Sequence, residues 1–173
     1  MTDITEKISA LPGTFRRGTL TDVPAVTALY RACAQAGQAE GSSVWDEEYP
    51  GEEEARADAE SGALFVLEDG GALLSAVSLL PADDLDELDC WTGTGTCALS
   101  RLAVSPRFQG QGIGRAMMER LCREAAAQGY LGARFLSAKN NPRACRLYDG
   151  MGFSRVGETH MYGLDFFCYE ADF

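Results

Sequence analysis

The chain of 173 residues carries 26 acidic residues against 15 lysines and arginines, a formal net charge of −11 and a sequence pI near 4.5. No basic excess is left to neutralise phosphates, which excludes a nonspecific nucleic-acid binder. With 46% apolar and 24% charged residues it is neither disordered nor fibrous, and its length suits one domain spanning residues 1–173.

In chain order, Thr14 to Arg17 predicts a short strand. Asp22 then caps a helix in which Val26, Leu29, Tyr30 and Cys33 fall at i, i+3, i+4 and i+7, ending at Gly37. After an irregular stretch from Gly41 to Pro50, Glu52 to Glu60 predicts a second helix, with acidic residues in the first turn where the dipole favours them. Leu64 to Leu67 and Leu73 to Leu80, split by Asp69-Gly70-Gly71, read as a hairpin. Pro81 to Asp89 is an acidic loop, by itself a solvated surface run. Cys97 to Val104 is the next strand, and a glycine-rich turn leads into a helix from about Ile113 to Gln128 that stops at Gly129.

A strand at Ala133 to Ala138 follows. The next helix, Pro142 to Met151, has Asn141 as cap, Pro142 at its first position, Gly152 at its end, and an apolar stripe of Ala144, Leu147, Tyr148 and Met151. Strands near Phe153 to Glu158 and Asp165 to Glu170 close the chain. The order βααβββαβαββ, without internal repeat or linker, predicts an α+β fold.

Met1 to Lys7 has neither a basic start nor a following apolar stretch, and no apolar run approaches the roughly 18 residues that cross a bilayer. No membrane partner is expected, and the expected location is cytoplasmic. The six cysteines (Cys33, Cys90, Cys97, Cys122, Cys145, Cys168) lie far apart, with no C-x-x-C pair and a single histidine, His160. Neither a metal site nor a disulfide scaffold is expected, and most of these thiols read as small core hydrophobes.

The most informative stretch runs from Leu102-Ala103-Val104 through Gln109-Gly110-Gln111-Gly112-Ile113-Gly114-Arg115. A strand passes through alternating glycines straight into a helix N-terminus. Unpaired N–H groups and the helix dipole at such a junction favour an anion, and glycine lets a ligand approach the main chain, so the segment suits a phosphate or pyrophosphate. A tight turn needing glycine for positive φ is the plainer reading. The spacing fits neither G-x-G-x-x-G nor a P-loop, which argues against a dinucleotide oxidoreductase. Further on, Tyr148 sits one turn after Ala144, either as a core aromatic or, if its hydroxyl reaches a cleft, as a proton donor to a leaving group.

Gln109-x-x-Gly112-x-Gly114 after a Val-x-Pro strand end, followed by Asn141-x-x-Ala144-x-x-x-Tyr148-x-x-x-Gly152-Phe153, resembles the GNAT N-acetyltransferase superfamily. The resemblance implies a mixed, mostly antiparallel central sheet splayed at the fourth strand, with helices on both faces. It implies acetyl-CoA as co-substrate and an amine acceptor as partner, with the main chain of Gln109 to Arg115 around the pyrophosphate. Leu102, Ala103 and Val104 would pair with the pantetheine arm like an added strand, Asn141 would hold the cofactor, and Tyr148 would protonate the departing thiolate. The implied reaction is direct acyl transfer, with a main-chain N–H at the strand splay stabilising the oxyanion. Homodimers are common in the family.

Some branches place a glutamate on the fourth strand, whereas Cys97 to Val104 has no carboxylate. The base is therefore unassigned among Glu48, Asp89, Glu158, His160 and a water-mediated path, and a non-catalytic CoA-binding sensor stays open as an alternative. Cys145 and Cys122 have no partner histidine and read as structural rather than covalent catalysts. Trp45, Glu48 and Tyr49 lie where the family usually lines its acceptor pocket. They form either an aromatic wall with an anionic partner or a loop pinned to the core.

The charge is uneven. Residues 101–155 hold ten basic and three acidic residues, a balance of +7, which leaves 5 basic and 23 acidic residues, or −18, elsewhere. A basic cofactor half and an acidic remainder, concentrated at Asp46 to Glu54 and Asp83 to Asp89, predict a cationic acceptor such as a polyamine, an aminoglycoside or a basic peptide end.

Overall fold

A computed structural model of the protein describes residues 11–42, 44–82 and 85–173. Its elements are β1 (Thr14–Arg17), α1 (Val23–Ala39), α2 (Glu52–Ser61), β2 (Leu64–Asp69), β3 (Ala72–Pro81), β4 (Thr96–Val104), α3 (Ile113–Ala127), β5 (Gly132–Ala138), α4 (Pro142–Met151), β6 (Ser154–Met161) and β7 (Leu164–Asp172). This is the order read from the sequence, and the mixed sheet with helices on both faces is a GNAT fold. Asp83 and Asp84 of the acidic loop lie outside the described residues.

The strands form one sheet in the order β1-β2-β3-β4-β5-β7-β6. Strand alternation sends successive side chains of β2 to opposite faces. Leu64 and Val66 pack with Val23, Val26, Leu29 and Tyr30 of α1 and Ala55 of α2, whereas Phe65 and Leu67 join the larger cluster built on Met117, Met118 and Leu121 of α3. Both faces are covered, which is why β2 reads as an unbroken apolar run. The β2–β3 hairpin turns on Gly70 and Gly71, both at positive φ (59° and 85°), a turn open to glycine at little cost.

Two ends differ from expectation. Helix α1 runs through Gly37 to Ala39, and Asp22 does not cap it with its side chain. The Asp22 carboxylate instead takes both Nη atoms of Arg16 at 2.8 Å and the Thr19 N–H at 2.8 Å, because a charged fork on β1 competes better for it than a neutral helix N–H.

The feature that positions a site is in the middle of the sheet. Strands β4 and β5 are parallel neighbours only over Thr96–Ala98 against Gly132–Arg134. Beyond Ala98, β4 stays with β3 as far as Val104 opposite Ser75, and β5 stays with β7 as far as Ala138 opposite Phe166. The two strands part, and each keeps one unpaired edge facing the gap.

Candidate functional site

The parted strands open into a cavity of about 880 Å³. On the β4 side, Ser105 N–H donates to Leu74 O of β3, and Ala103 O accepts from Ser75 Oγ at 2.6 Å. Strand alternation therefore turns the backbone of Ala103 towards β3 and that of Leu102 and Val104 towards the gap. Leu102 and Val104 line the cavity, whereas Ala103 is buried in the α1-side core. An added strand can thus bond to Leu102 and Val104 but not to Ala103. The Val104 carbonyl already accepts from Cys33 Sγ and from Gln109 Nε2, each at 3.2 Å.

The glycine loop lies at one end of this edge. Gly110 and Gly112 take φ of 79° and 80°, and Gly112 precedes α3 at the cap position without a side chain to cap it, so the first-turn N–H groups have no side-chain cap. Gly114 is different: it has no positive φ, and a Cβ there would meet Leu147, Val104 and Leu102 only at ordinary contact distances of 3.4 to 3.8 Å. The fold tolerates a side chain at 114, and the bare position lines the cavity. Gln109, Gly110, Ile113 and Arg115 also line the cavity, while Gln111 is exposed and does not.

Two cations border the loop. Arg115 donates to the buried Glu119 at 3.1 Å. Arg143, at the start of α4, donates to Gln109 Oε1 at 2.5 Å and to Glu40 Oε1 at 2.9 Å, linking α4, the loop and the end of α1 around the cavity.

Helix α4 has the predicted limits. Asn141 Oδ1 accepts from Ala144 N–H at 3.3 Å, so the cap occupies that oxygen while the residue still lines the cavity. Tyr148 is 9% exposed, lines the cavity, and packs edge-on against Phe135 at 4.6 Å between ring centres. Burial pushes its phenol pKa up, which keeps the proton on the oxygen across the working range.

At the other end Trp45 both lines the cavity and packs edge-on against Tyr30 at 5.6 Å, so it is wall and pin at once. Tyr49 is 43% exposed and is not among the lining residues; its hydroxyl accepts from Arg101 Nη1 at 3.4 Å. Glu48 is exposed and does not line the cavity, and neither do Asp89, Glu158 or His160. Glu158 pairs with Lys139 and His160 with Asp165, at 2.6 and 2.8 Å. Among the described lining residues the one carboxylate is Glu40, held by Arg143.

Residue types alone missed Arg101 and Asp58. Arg101 lines the cavity from β4, and its side chain, 13% exposed, meets Asp58 of α2, whose side chain is 4% exposed. The available signal was an aspartate one turn after Ala55 on the buried stripe of α2. The Tyr30 hydroxyl is buried in this region, and its pKa is raised chiefly by burial, with Arg101 acting in the opposite direction.

The thiols suit packing more than catalysis. Burial pushes Cys33 up to about 11 and Cys97 to about 12, so neither is a ready thiolate at neutral pH.

A sheet parted at a parallel strand pair, with a glycine-lined helix start at one end and a protonated phenol beside the gap, places the chain in the class of α+β folds whose central sheet splays around a cavity. Residues 24–153 match the Acetyltransferase (GNAT) family, and the chain belongs to that family. It is 33% identical over 97 residues to N-acetyltransferase 8 of Rattus norvegicus, covering 56% of this chain and 41% of that protein, so the match spans about two fifths of the relative's length. A GNAT-family acetyltransferase from Streptococcus agalactiae superposes with a TM-score of 0.79 at 17% identity, covering 92% of this chain and 94% of that one. The PaiA N-acetyltransferase from Thermoplasma acidophilum, in complex with coenzyme A, has a TM-score of 0.70 at 16% identity, covering 92% of this chain and 98% of that one.

Proposed function

We propose that this protein is an N-acetyltransferase that moves the acetyl group of acetyl-CoA directly to a primary amine of a cationic small molecule or basic peptide. The observation that carries the reading is the open edge of β4, which runs along one cavity from the uncapped start of α3 towards Tyr148. Acetyl-CoA supplies the activated thioester. The chain's own residues do the rest: the Gln109 to Arg115 segment receives the phosphates, and the edge of Leu102 and Val104 aligns the arm. A main-chain N–H at the parting of β4 donates to the carbonyl oxygen. Tyr148 keeps its proton until the thiolate leaves. No described carboxylate is free at the gap, so the amine proton departs through water.

Support for a cationic acceptor comes from the acidic residues around Trp45. The Asp46 carboxylate accepts from Tyr49 and Glu48 N–H at 2.8 Å each, and these bonds lower its pKa, so it stays charged beside Glu47 and Glu48. Six free thiols among the described residues agree with a reducing, cytoplasmic location. No described helix is long and apolar enough to cross a membrane.

The test is thiol release from acetyl-CoA across a panel of amines at increasing salt, with calorimetric titration of acetyl-CoA alongside. Polyamines, aminoglycosides or basic peptides should be turned over, with kcat/KM falling as ionic strength rises. Preference for anionic amines would remove the cationic assignment. Binding without thiol release for any amine would make the protein a CoA sensor.

A further inference from the structure

We propose that Asp58 is a positioning residue for acyl transfer: through Arg101 it holds the main chain of β4 in the bulged shape that presents the Leu102 N–H to the cavity. The inference rests on the acetyltransferase reading above, and it concerns how this chain keeps that site in shape.

The bulge is visible in the register. Ser78 of β3 pairs with Ser100, and Ala76 pairs with Ala103, so Val77 alone faces both Arg101 and Leu102. A β-bulge of this kind bends its strand and redirects backbone groups. It falls just after Ala98, where β4 leaves β5. Arg101 carries the distortion, with φ of 54°, although it has a full side chain and the left-handed region disfavours it. Such conformations persist where the surroundings over-determine them.

Asp58 supplies that constraint. Its Oδ1 accepts from Arg101 Nη2 at 2.8 Å, and its Oδ2 accepts from Nη2 at 2.8 Å and Nε at 3.1 Å. The same Oδ2 accepts from Ser78 Oγ at 2.6 Å. Ser78 is the partner of Ser100, the residue just before the bulge, so one carboxylate ties α2, β3 and the distorted residue of β4 together. Tyr49 adds a longer bond at 3.4 Å on the outer side of the guanidinium. Desolvation makes a buried ion pair an inefficient source of stability, whereas the fixed fork of a guanidinium against a carboxylate is an efficient source of geometry.

Four variants of the full chain test this: Arg101→Ala, Arg101→Gly, Asp58→Asn, and the double variant R101G/D58N, which leaves no buried charge unpaired. Glycine adopts φ of 54° unaided, so Arg101→Gly should keep the bulge that Arg101→Ala loses. Arg101→Ala and Asp58→Asn should lower kcat at least about tenfold, with acetyl-CoA affinity within about threefold of wild type. Arg101→Gly should retain clearly more kcat than Arg101→Ala, and adding Asp58→Asn to it should change kcat less than about twofold.

Hydrogen exchange of the amides at 101–104 gives a readout that needs no turnover. Exchange should quicken in Arg101→Ala and Asp58→Asn, and stay near wild type in R101G/D58N. Equal kcat in the alanine and glycine variants, or unchanged exchange in Arg101→Ala, would overturn the proposal. If wild-type protein releases no thiol, the acetyltransferase reading fails, and the exchange data still decide whether Asp58 holds the bulge.

Discussion

The ring of Tyr148 meets that of Phe135 edge-on, 4.6 Å between centres and 66° between planes, and this contact, with Phe153 and Tyr169 nearby, sets the phenol beside the cavity. Tyr148→Phe removes the hydroxyl and keeps every ring contact, so thermal stability and CoA binding should stay close to wild type. Loss of a proton donor should lower kcat on the order of 100-fold. Because burial raises the phenol pKa, the group stays protonated up to alkaline pH, and the kcat profile of the variant should be lower but similar in shape between pH 6 and 9. Steady-state kinetics across pH check this; an unchanged rate would leave Tyr148 as packing alone.

Gly114 separates stability from binding. Alanine there meets neighbours at ordinary distances of 3.4 to 3.8 Å and is the better helix former by up to about 1 kcal/mol. Gly114→Ala should therefore melt at the same temperature or higher. Its methyl group enters the space proposed for the pyrophosphate, and acetyl-CoA affinity should fall roughly tenfold, about 1.4 kcal/mol. Melting curves and calorimetric titration of the same sample measure both quantities. A variant that binds as well as wild type would show that the glycine leaves no room for a phosphate.

The elements that were legible in the sequence are those whose signals are local. Helix α4 was readable at both ends because Asn141, Pro142 and Gly152 each act within one turn, and Asn141 does cap Ala144. Asp22 had the right residue type for a cap, but its charge is taken by Arg16, which reaches it through β1. The glycine loop was legible because positive φ and an open helix start both select glycine. The Asp58–Arg101 pair was not, because it joins residues 43 apart in sequence and depends on a strand register that hydrophobic alternation does not specify. For the same reason Glu48, Asp89, Glu158 and His160 could be proposed as bases by type, whereas only the tertiary structure shows that none of them lines the cavity.

Cys33 is the thiol that lines the cavity, and its Sγ donates to the Val104 carbonyl at 3.2 Å. With burial pushing its pKa up to about 11, it is thiol rather than thiolate at neutral pH. Direct transfer needs no acylated cysteine, and serine can still donate to Val104. Cys33→Ser should keep at least about half of the wild-type kcat, and mass spectrometry of protein incubated with acetyl-CoA alone should show no acetyl adduct at residue 33. An adduct lost together with activity in the variant would establish a covalent route instead.

The Arg16–Asp22 pair joins β1 to the start of α1, and Glu68 of β2 shares the same guanidinium at 2.8 Å. Hydrogen bonding from Arg16 is the main cause holding the Asp22 carboxyl below the usual range, followed by burial acting in the opposite direction and by the Thr19 N–H. A carboxyl depressed in the folded state stabilises it at pH above the unfolded value, near 4, and loses that contribution as pH falls through the folded value. Asp22→Asn should thus cost about 1 kcal/mol at pH 7, since Arg16 keeps Glu68 as a partner. The difference from wild type should be smaller at pH 3, below the unfolded value, where the unfolded chain takes up a proton at residue 22 more readily than the folded one. Urea unfolding of both proteins at the two pH values measures it, and a gap that does not shrink would assign the loss to the turn at Thr19 and not to charge.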